Sequence, residues 1–224
     1  MVIGITGGVG AGKSLVLSIL KERYGAGIIL ADEVAADLER PGQPGLKGLV
    51  EAFGTEILTA EGELDRAAFA RRIFRDEEAR QRVNRIIHPL AWAAIRRRIR
   101  QDSDGLFVVE SALFDEESRS ICDYLVYVRA SQENRIRRLM ENRGYTREKC
   151  LDMIRRQRSE EAYAGLADYV MENDGTPEQV EMEIDRMLRT FLWEASPADD
   201  VACREGAHEE GKESAAMTVQ EYER

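Results

Sequence analysis

Apolar and polar positions along the chain fall into two periods. Short apolar runs at Val2 to Thr6, Gly25 to Ala31, Leu106 to Glu110, Tyr124 to Val128 and Asp168 to Glu172 predict five strands, the second opened by a turn. The fourth run is almost continuously apolar, as in a strand buried on both faces. Between the runs, apolar residues recur at helical spacing over Ser14 to Arg23, Leu46 to Phe53, Arg66 to Phe74, Glu77 to Ile87 and Leu90 to Ile99. The same spacing continues over Asn134 to Gln157, read as two helices with a turn at Gly144, and over Pro177 to Trp193 with Thr176 as N-cap. Strands that alternate with helices predict an α/β fold on a parallel sheet.

Two breaks refine this order. Pro41-Gly42-Gln43-Pro44-Gly45 ends the first half-unit, and the chain from there to Arg100 is almost wholly helical, with His88-Pro89 predicted to interrupt it before Leu90. A helical block of that length exceeds a simple crossover and reads as a module at 40–104, either acceptor-binding or a purely structural cap. The core is then 1–39 and 105–194, with a basic helical segment at about 132–160. Beyond Ser196-Pro197 periodicity is lost, and 195–224 reads as an acidic, disordered tail.

Charge and cysteine content narrow the class. The chain carries a net charge of -10, and the stretch from Ala195 onward holds eight acids against three bases, -5, so half of the excess lies in the tail. An acidic protein is poorly suited to nonspecific nucleic-acid binding. Cys122, Cys150 and Cys203 are far apart with no C-x-x-C, as expected of unpaired thiols in a reducing compartment. No apolar run is long enough to span a bilayer, and the reading is a cytoplasmic protein without a membrane partner. His88 and His208 form no zinc signature.

The chemistry begins at Gly7-Gly8-Val9-Gly10-Ala11-Gly12-Lys13-Ser14, which fits G-x-x-x-x-G-K-[ST] between a strand and a helix. Glycines let successive backbone N–H groups converge on phosphate oxygens at a helix N-terminus, where partial positive charge favours anions. Lys13 can reach the β- and γ-phosphates and Ser14 can place its hydroxyl on Mg²⁺, so an ATP or GTP site is expected. Asp32 follows the second strand, at the sheet edge where α/β ligands bind. It suits a general base or a holder of magnesium-bound water, and equally a cap for a helix starting at Glu33. Glu110 ends the third strand and is a candidate for magnesium through water. The arginines Arg135, Arg137, Arg138, Arg143, Arg147, Arg155, Arg156 and Arg158 suit a lid closing on phosphate, or a solvated helical face. His88, before Pro89, reads as a helix-break residue rather than a catalyst.

An ordered set of short motifs goes further: Gly7 to Ser14, Ala31-Asp32, Pro41-Gly42-x-Pro44, Phe53-Gly54, Gly62-x-Leu64-Asp65-Arg66, Ile73-Phe74, Asn84 with Ile87-His88-Pro89, Arg138-Leu139, and Ala167-Asp168-x-Val170 with Asn173-x-Gly175. Over residues 2 to 193 the chain resembles the dephospho-coenzyme A kinase family. That resemblance implies a P-loop nucleotide-kinase-like three-layer fold with a five-stranded parallel sheet, a helical insertion on the CoA side and a helical lid. It implies transfer of the ATP γ-phosphate to the ribose 3′-hydroxyl of dephospho-CoA, with Mg²⁺, and no nucleic-acid or protein partner. Gly8, Val9, Gly10, Ala11, Gly12, Lys13, Ser14 and Leu15 then form the ATP cradle, and Asp32 is the base. Lys13 and Arg138 stabilise the transferring group, Arg143 assists from the lid, and Asn173 lies at the adenine. His88 and Glu110 lie near the acceptor.

Three positions depart from the family pattern: Leu15 for Thr, Leu30 for the first acid of D-x-D, and Ala112 for Pro. The alternatives are a P-loop kinase for another small alcohol or nucleotide, and a nucleotide-binding module without an acceptor; the latter fits poorly with the absence of N-K-x-D and with the long insertion.

Overall fold

The computed structural model describes residues 1–74, 76–101 and 105–195. The elements, in order, are β1 (Val2–Thr6), α1 (Lys13–Tyr24), β2 (Gly27–Leu30), α2 (Ala31–Leu38), α3 (Pro44–Phe53), α4 (Arg66–Phe74) and α5 (Glu77–Arg100). They continue with β3 (Phe107–Glu110), α6 (Glu116–Arg119), β4 (Tyr124–Arg129), α7 (Gln132–Arg143), α8 (Arg147–Arg155), α9 (Glu160–Ala164), β5 (Tyr169–Glu172) and α10 (Pro177–Ala195). All five strands are parallel, in the order β2-β3-β1-β4-β5.

The register aligns the carboxyl ends of the strands. Ile5 lies opposite Glu110 on one side and Val126 on the other, and Leu30 lies opposite Glu110. The loops after β1, β2 and β3 therefore leave the sheet side by side, the position where open α/β sheets bind ligands. β1 and residues 125–128 of β4 are buried along their whole length, as the continuous apolar runs predict.

Among the described residues, apolar clusters mark three parts of the chain. The sheet cluster joins Ile29, Val109 and Leu125 to Val34 of α2 and to Trp92 and Ile95 of α5. The insertion has its own cluster of Leu49, Phe53, Ile57, Phe69, Ala79 and Ile87, with the Phe53 and Phe69 rings edge to face at 5.2 Å. The basic segment is a helical pair closed by Ile136, Leu139 and Cys150, with Gly144 ending α7 in the left-handed conformation.

The insertion departs from the sequence reading at His88-Pro89. α5 runs unbroken for 24 residues with Pro89 inside it. Its first half contributes Ala79 and Ile87 to the insertion cluster, and its second half contributes Ala91, Trp92 and Ile95 to the sheet cluster. Burial on both sides outweighs the one backbone bond that proline removes, whose acceptor, on exposed Arg85, can turn to water. A second difference is at β2: the strand ends at Leu30, and Ala31 opens α2. Asp32 therefore sits in the first turn of α2 and is not its N-cap, a place taken by Leu30. The short helices α6 and α9 have no counterpart in the sequence reading.

The chain divides into two units, Met1–Asp185 and Arg186–Arg224. The first holds the sheet, the insertion and the basic segment; of the second, residues 186–195 are the end of α10. Thr176 and Gln179 exchange hydrogen bonds at the start of α10, the expected cap. The tail expected from residue 195 lies, from 196 on, outside the described residues. No described helix is long and apolar enough to cross a membrane.

Candidate active site

The site grows from the loop between β1 and α1. Ala11 N–H donates to Gly8 O at 3.1 Å and Leu15 N–H to Gly12 O at 3.0 Å, folding the loop back on the start of the helix. No side chain caps α1, so its first N–H groups remain for a ligand. Gly12 is the N-cap, at φ 88°, and a Cβ there would collide with Asn173 Nδ2. The carbonyl of Ala11 accepts from Arg138 Nη1 at 3.0 Å and from Asn173 Nδ2 at 2.8 Å. Arg138 also donates from Nη2 to Asn173 O at 2.6 Å, and burial pulls its guanidinium below the usual value. Asn173 is fully buried, and its Oδ1 has no partner among the described residues.

Lys13 is held inward. Its Nζ donates to Gly7 O at 2.8 Å and lies 3.4 Å from Glu110 Oε1, with both side chains less than one-fifth exposed. Burial raises the Glu110 carboxyl above its ordinary value; Lys13 opposes the rise and the nearby Asp32 charge adds to it. Asp32, Glu110 and Lys13 thus form one electrostatic group at the carboxyl ends of β2 and β3 and the exit of β1.

These residues share a cavity of about 750 Å³. The loop from Gly7 to Leu15, Ala11 apart, lines it, together with Asp32, Glu110, Arg138, Arg143 and Asn173. Ala11 is buried beneath it and takes part through its carbonyl. Two positions that depart from the family pattern, Leu30 and Ala112, also face the cavity, as does Leu15. His88 does not belong to this group: it is exposed on α5, away from the cavity lining, and acts electrostatically on Asp115.

The basic segment sorts its arginines by helical face. Arg135 is buried, and Arg138 with Asn142 and Arg143 lines the cavity, a spacing that keeps all four on one side of α7. Arg137 pairs with Glu141, Arg147 with Glu133 and Arg155 with Asp152, all at exposed positions. Asp174 anchors the start of α7 by accepting from Ser131 N–H at 2.9 Å and Asn134 Nδ2 at 2.8 Å. The sequence reading missed Gln157, Asn142 and Leu17 in the lining. Gln157 was beyond the reach of spacing rules, since its backbone partner is Val9, 148 positions away.

The cavity donors suit a hard divalent cation. A hydroxyl, Ser14, and two carboxylates, Asp32 and Glu110, share the lining, while no group of three or more His, Cys, Asp or Glu residues gathers among the described residues. Such a set fits a cation that keeps its waters and takes most remaining ligands from phosphates.

Comparison with known proteins places this geometry. The dephospho-CoA kinase family profile matches residues 1–179. A dephospho-CoA kinase from Carboxydothermus hydrogenoformans is 34% identical over 196 residues, covering 86% of this chain and 95% of the relative. Among solved structures, TT1252 from Thermus thermophilus aligns with a TM-score of 0.70 at 30% identity, covering 88% of this chain and 98% of the other. Dephospho-CoA kinase from Campylobacter jejuni aligns with a TM-score of 0.56 at 20% identity over 84% and 96% of the two chains, a likeness of fold.

Proposed function

The chain belongs to the dephospho-CoA kinase family, and from that premise we propose that its cavity transfers the γ-phosphate of ATP to the ribose 3′-hydroxyl of dephospho-CoA. This is the final step of CoA synthesis. The observation that carries the reading is the convergence of phosphate loop, carboxylate pair and inward-facing arginines on one cavity of about 750 Å³. Phosphoryl transfer asks mainly for alignment and for positive charge around the transferring group, and this cavity offers both.

In this account Gly8 to Leu15 bind the ATP phosphates and Asn173 borders the adenine. Lys13 leaves its contacts with Gly7 O and Glu110 for the β- and γ-phosphates. Asp32, exposed to the cavity, accepts the hydrogen bond of the 3′-hydroxyl and takes its proton as the new oxygen–phosphorus bond forms and the bond to the β-phosphate bridge breaks. Arg138 and Lys13 balance the charge on the transferring group, and Arg143, exposed at the end of α7, assists from the lid. The divalent metal would be Mg²⁺, which Ser14, Asp32 and Glu110 would hold, and when bound it would supply charge neutralisation at the phosphates. The domain layout follows: core 1–39 and 105–194, acceptor module 40–104 and lid about 132–160, with His88 on the acceptor module.

The test is Asp32→Asn assayed with ATP and dephospho-CoA. Nucleotide affinity should stay near that of the wild type while turnover falls on the order of 10²-fold or more, the scale of general-base assistance. Unchanged turnover would remove Asp32 from the chemistry.

A further inference from the structure

The phosphate loop is held from outside as well as from within. Val9 N–H donates to Gln157 Oε1 at 3.1 Å, Arg135 Nε donates to Val9 O at 2.9 Å, and Arg135 Nη2 donates to Gln157 Oε1 at 2.5 Å. These three bonds close a ring around one residue. The peptide planes before and after Val9 are both fixed, one through its N–H and the other through its C=O. Gly8 and Gly10 lie on either side, and glycine makes a peptide-plane rotation cheap, so the loop needs an external hold to keep one shape.

The packing is closed at this point. A Cβ on Gly8 would collide with Arg135 Nη2 and meet Gln157 Oε1 at 2.9 Å, and one on Gly10 would meet Arg135 O at 2.7 Å. Arg135 is only 7% exposed and has no carboxylate within ion-pairing distance among the described residues. A buried guanidinium without a carboxylate in ion-pairing contact is costly, Glu160 acting on it only at longer range, and it is retained here directly behind a loop built for polyphosphate. Arg135 comes from α7, whereas Gln157 comes from the link between α8 and α9, two residues past the end of α8. The ring therefore ties both ends of the basic helical pair to the nucleotide loop.

We infer that Gln157 and Arg135 form a latch that holds the phosphate loop in its nucleotide-binding shape and couples it to the lid, with Gln157 a positioning residue for nucleotide binding. The inference rests on the proposed nucleotide site and adds to it a residue that touches the loop backbone. Its consequence is quantitative. When a loop spends only a fraction of its time in the binding shape, the apparent dissociation constant rises by the inverse of that fraction. Losing the single acceptor that serves both Val9 N–H and Arg135 should reduce the competent fraction to roughly one-tenth.

The experiment uses the full chain and ADP with Mg²⁺ as the probe, with binding measured by calorimetry and backbone amide exchange followed at Val9 in the nucleotide-free protein. Gln157→Leu keeps the bulk and removes the acceptor; it should raise the ADP dissociation constant about tenfold and speed exchange at Val9. Gln157→Glu keeps an acceptor for both donors and should return affinity to within about threefold of wild type. Wild-type ADP affinity in Gln157→Leu, even with a lowered melting temperature, would overturn the latch, as would a Gln157→Glu variant that binds as weakly as the leucine variant. A wild type that binds ADP but leaves dephospho-CoA unphosphorylated would instead defeat the acceptor assignment, and the ADP and exchange readouts would still decide the latch.

Discussion

Glu110 joins sequence, burial and function at a single side chain. It ends a buried strand, so its carboxyl is drawn into the sheet edge, where burial disfavours the ionised form and Lys13 only partly offsets that cost. The folded protein therefore holds this proton more tightly than the unfolded chain. As pH rises from the ordinary value of 4.5 through the raised folded value, the contribution of Glu110 to stability is progressively lost. Glu110→Gln has no such titration. Denaturant unfolding over this range should show the wild type losing stability relative to the variant as pH increases, and parallel profiles would contradict the burial argument. Residues of this kind were legible because a strand end fixes where a side chain goes: Asp32 and Glu110 were both found by following apolar runs to their carboxyl ends. The alternative for Asp32 as an N-cap failed because α2 starts at Ala31, two residues earlier than the pattern indicated. Gln157 was not legible, since no period connects a residue after α8 with a glycine loop at the N-terminus.

Among the elements, α5 shows how packing overrides a local rule. A proline inside a helix removes a hydrogen bond and crowds the preceding turn, and the sequence accordingly predicts a break. The helix continues because it is shared by two clusters that neither half could serve alone. The proline cost remains in the folded state, partly offset by the restriction that proline places on the unfolded chain. Pro89→Ala should restore the missing N–H and stabilise the fold by on the order of 1 kcal/mol, a rise of about 2–4 °C in thermal midpoint. A lowered midpoint would mean that the proline ring itself makes contacts the helix depends on. The basic segment illustrates the opposite case. Its two helices and the turn at Gly144 were readable from pattern, but its arginines became distinguishable only once α7 had a buried side: Arg135 and Arg138 point to the loop, and Arg137 and Arg147 to solvent-exposed acids.

Across the whole molecule, all five strands and the long helical insertion were visible in the alternation of apolar runs and helical stripes, because every strand sends at least one apolar side chain into the core, the edge strands β2 and β5 included. The sheet order β2-β3-β1-β4-β5 was not, since apolar period carries no information about which strands are neighbours. That order matters most for function: it sets β1 between β3 and β4 and brings the phosphate loop beside Asp32 and Glu110. The account therefore stands on one claim, that these parts form a single site for ATP and an acceptor hydroxyl. The direct measurement is incubation of the purified protein with ATP, Mg²⁺ and dephospho-CoA, with adenosine and AMP as alternative acceptors and products followed by mass. The account predicts that dephospho-CoA alone gains one phosphate and becomes CoA. Transfer to another acceptor, or none at all, would contradict it.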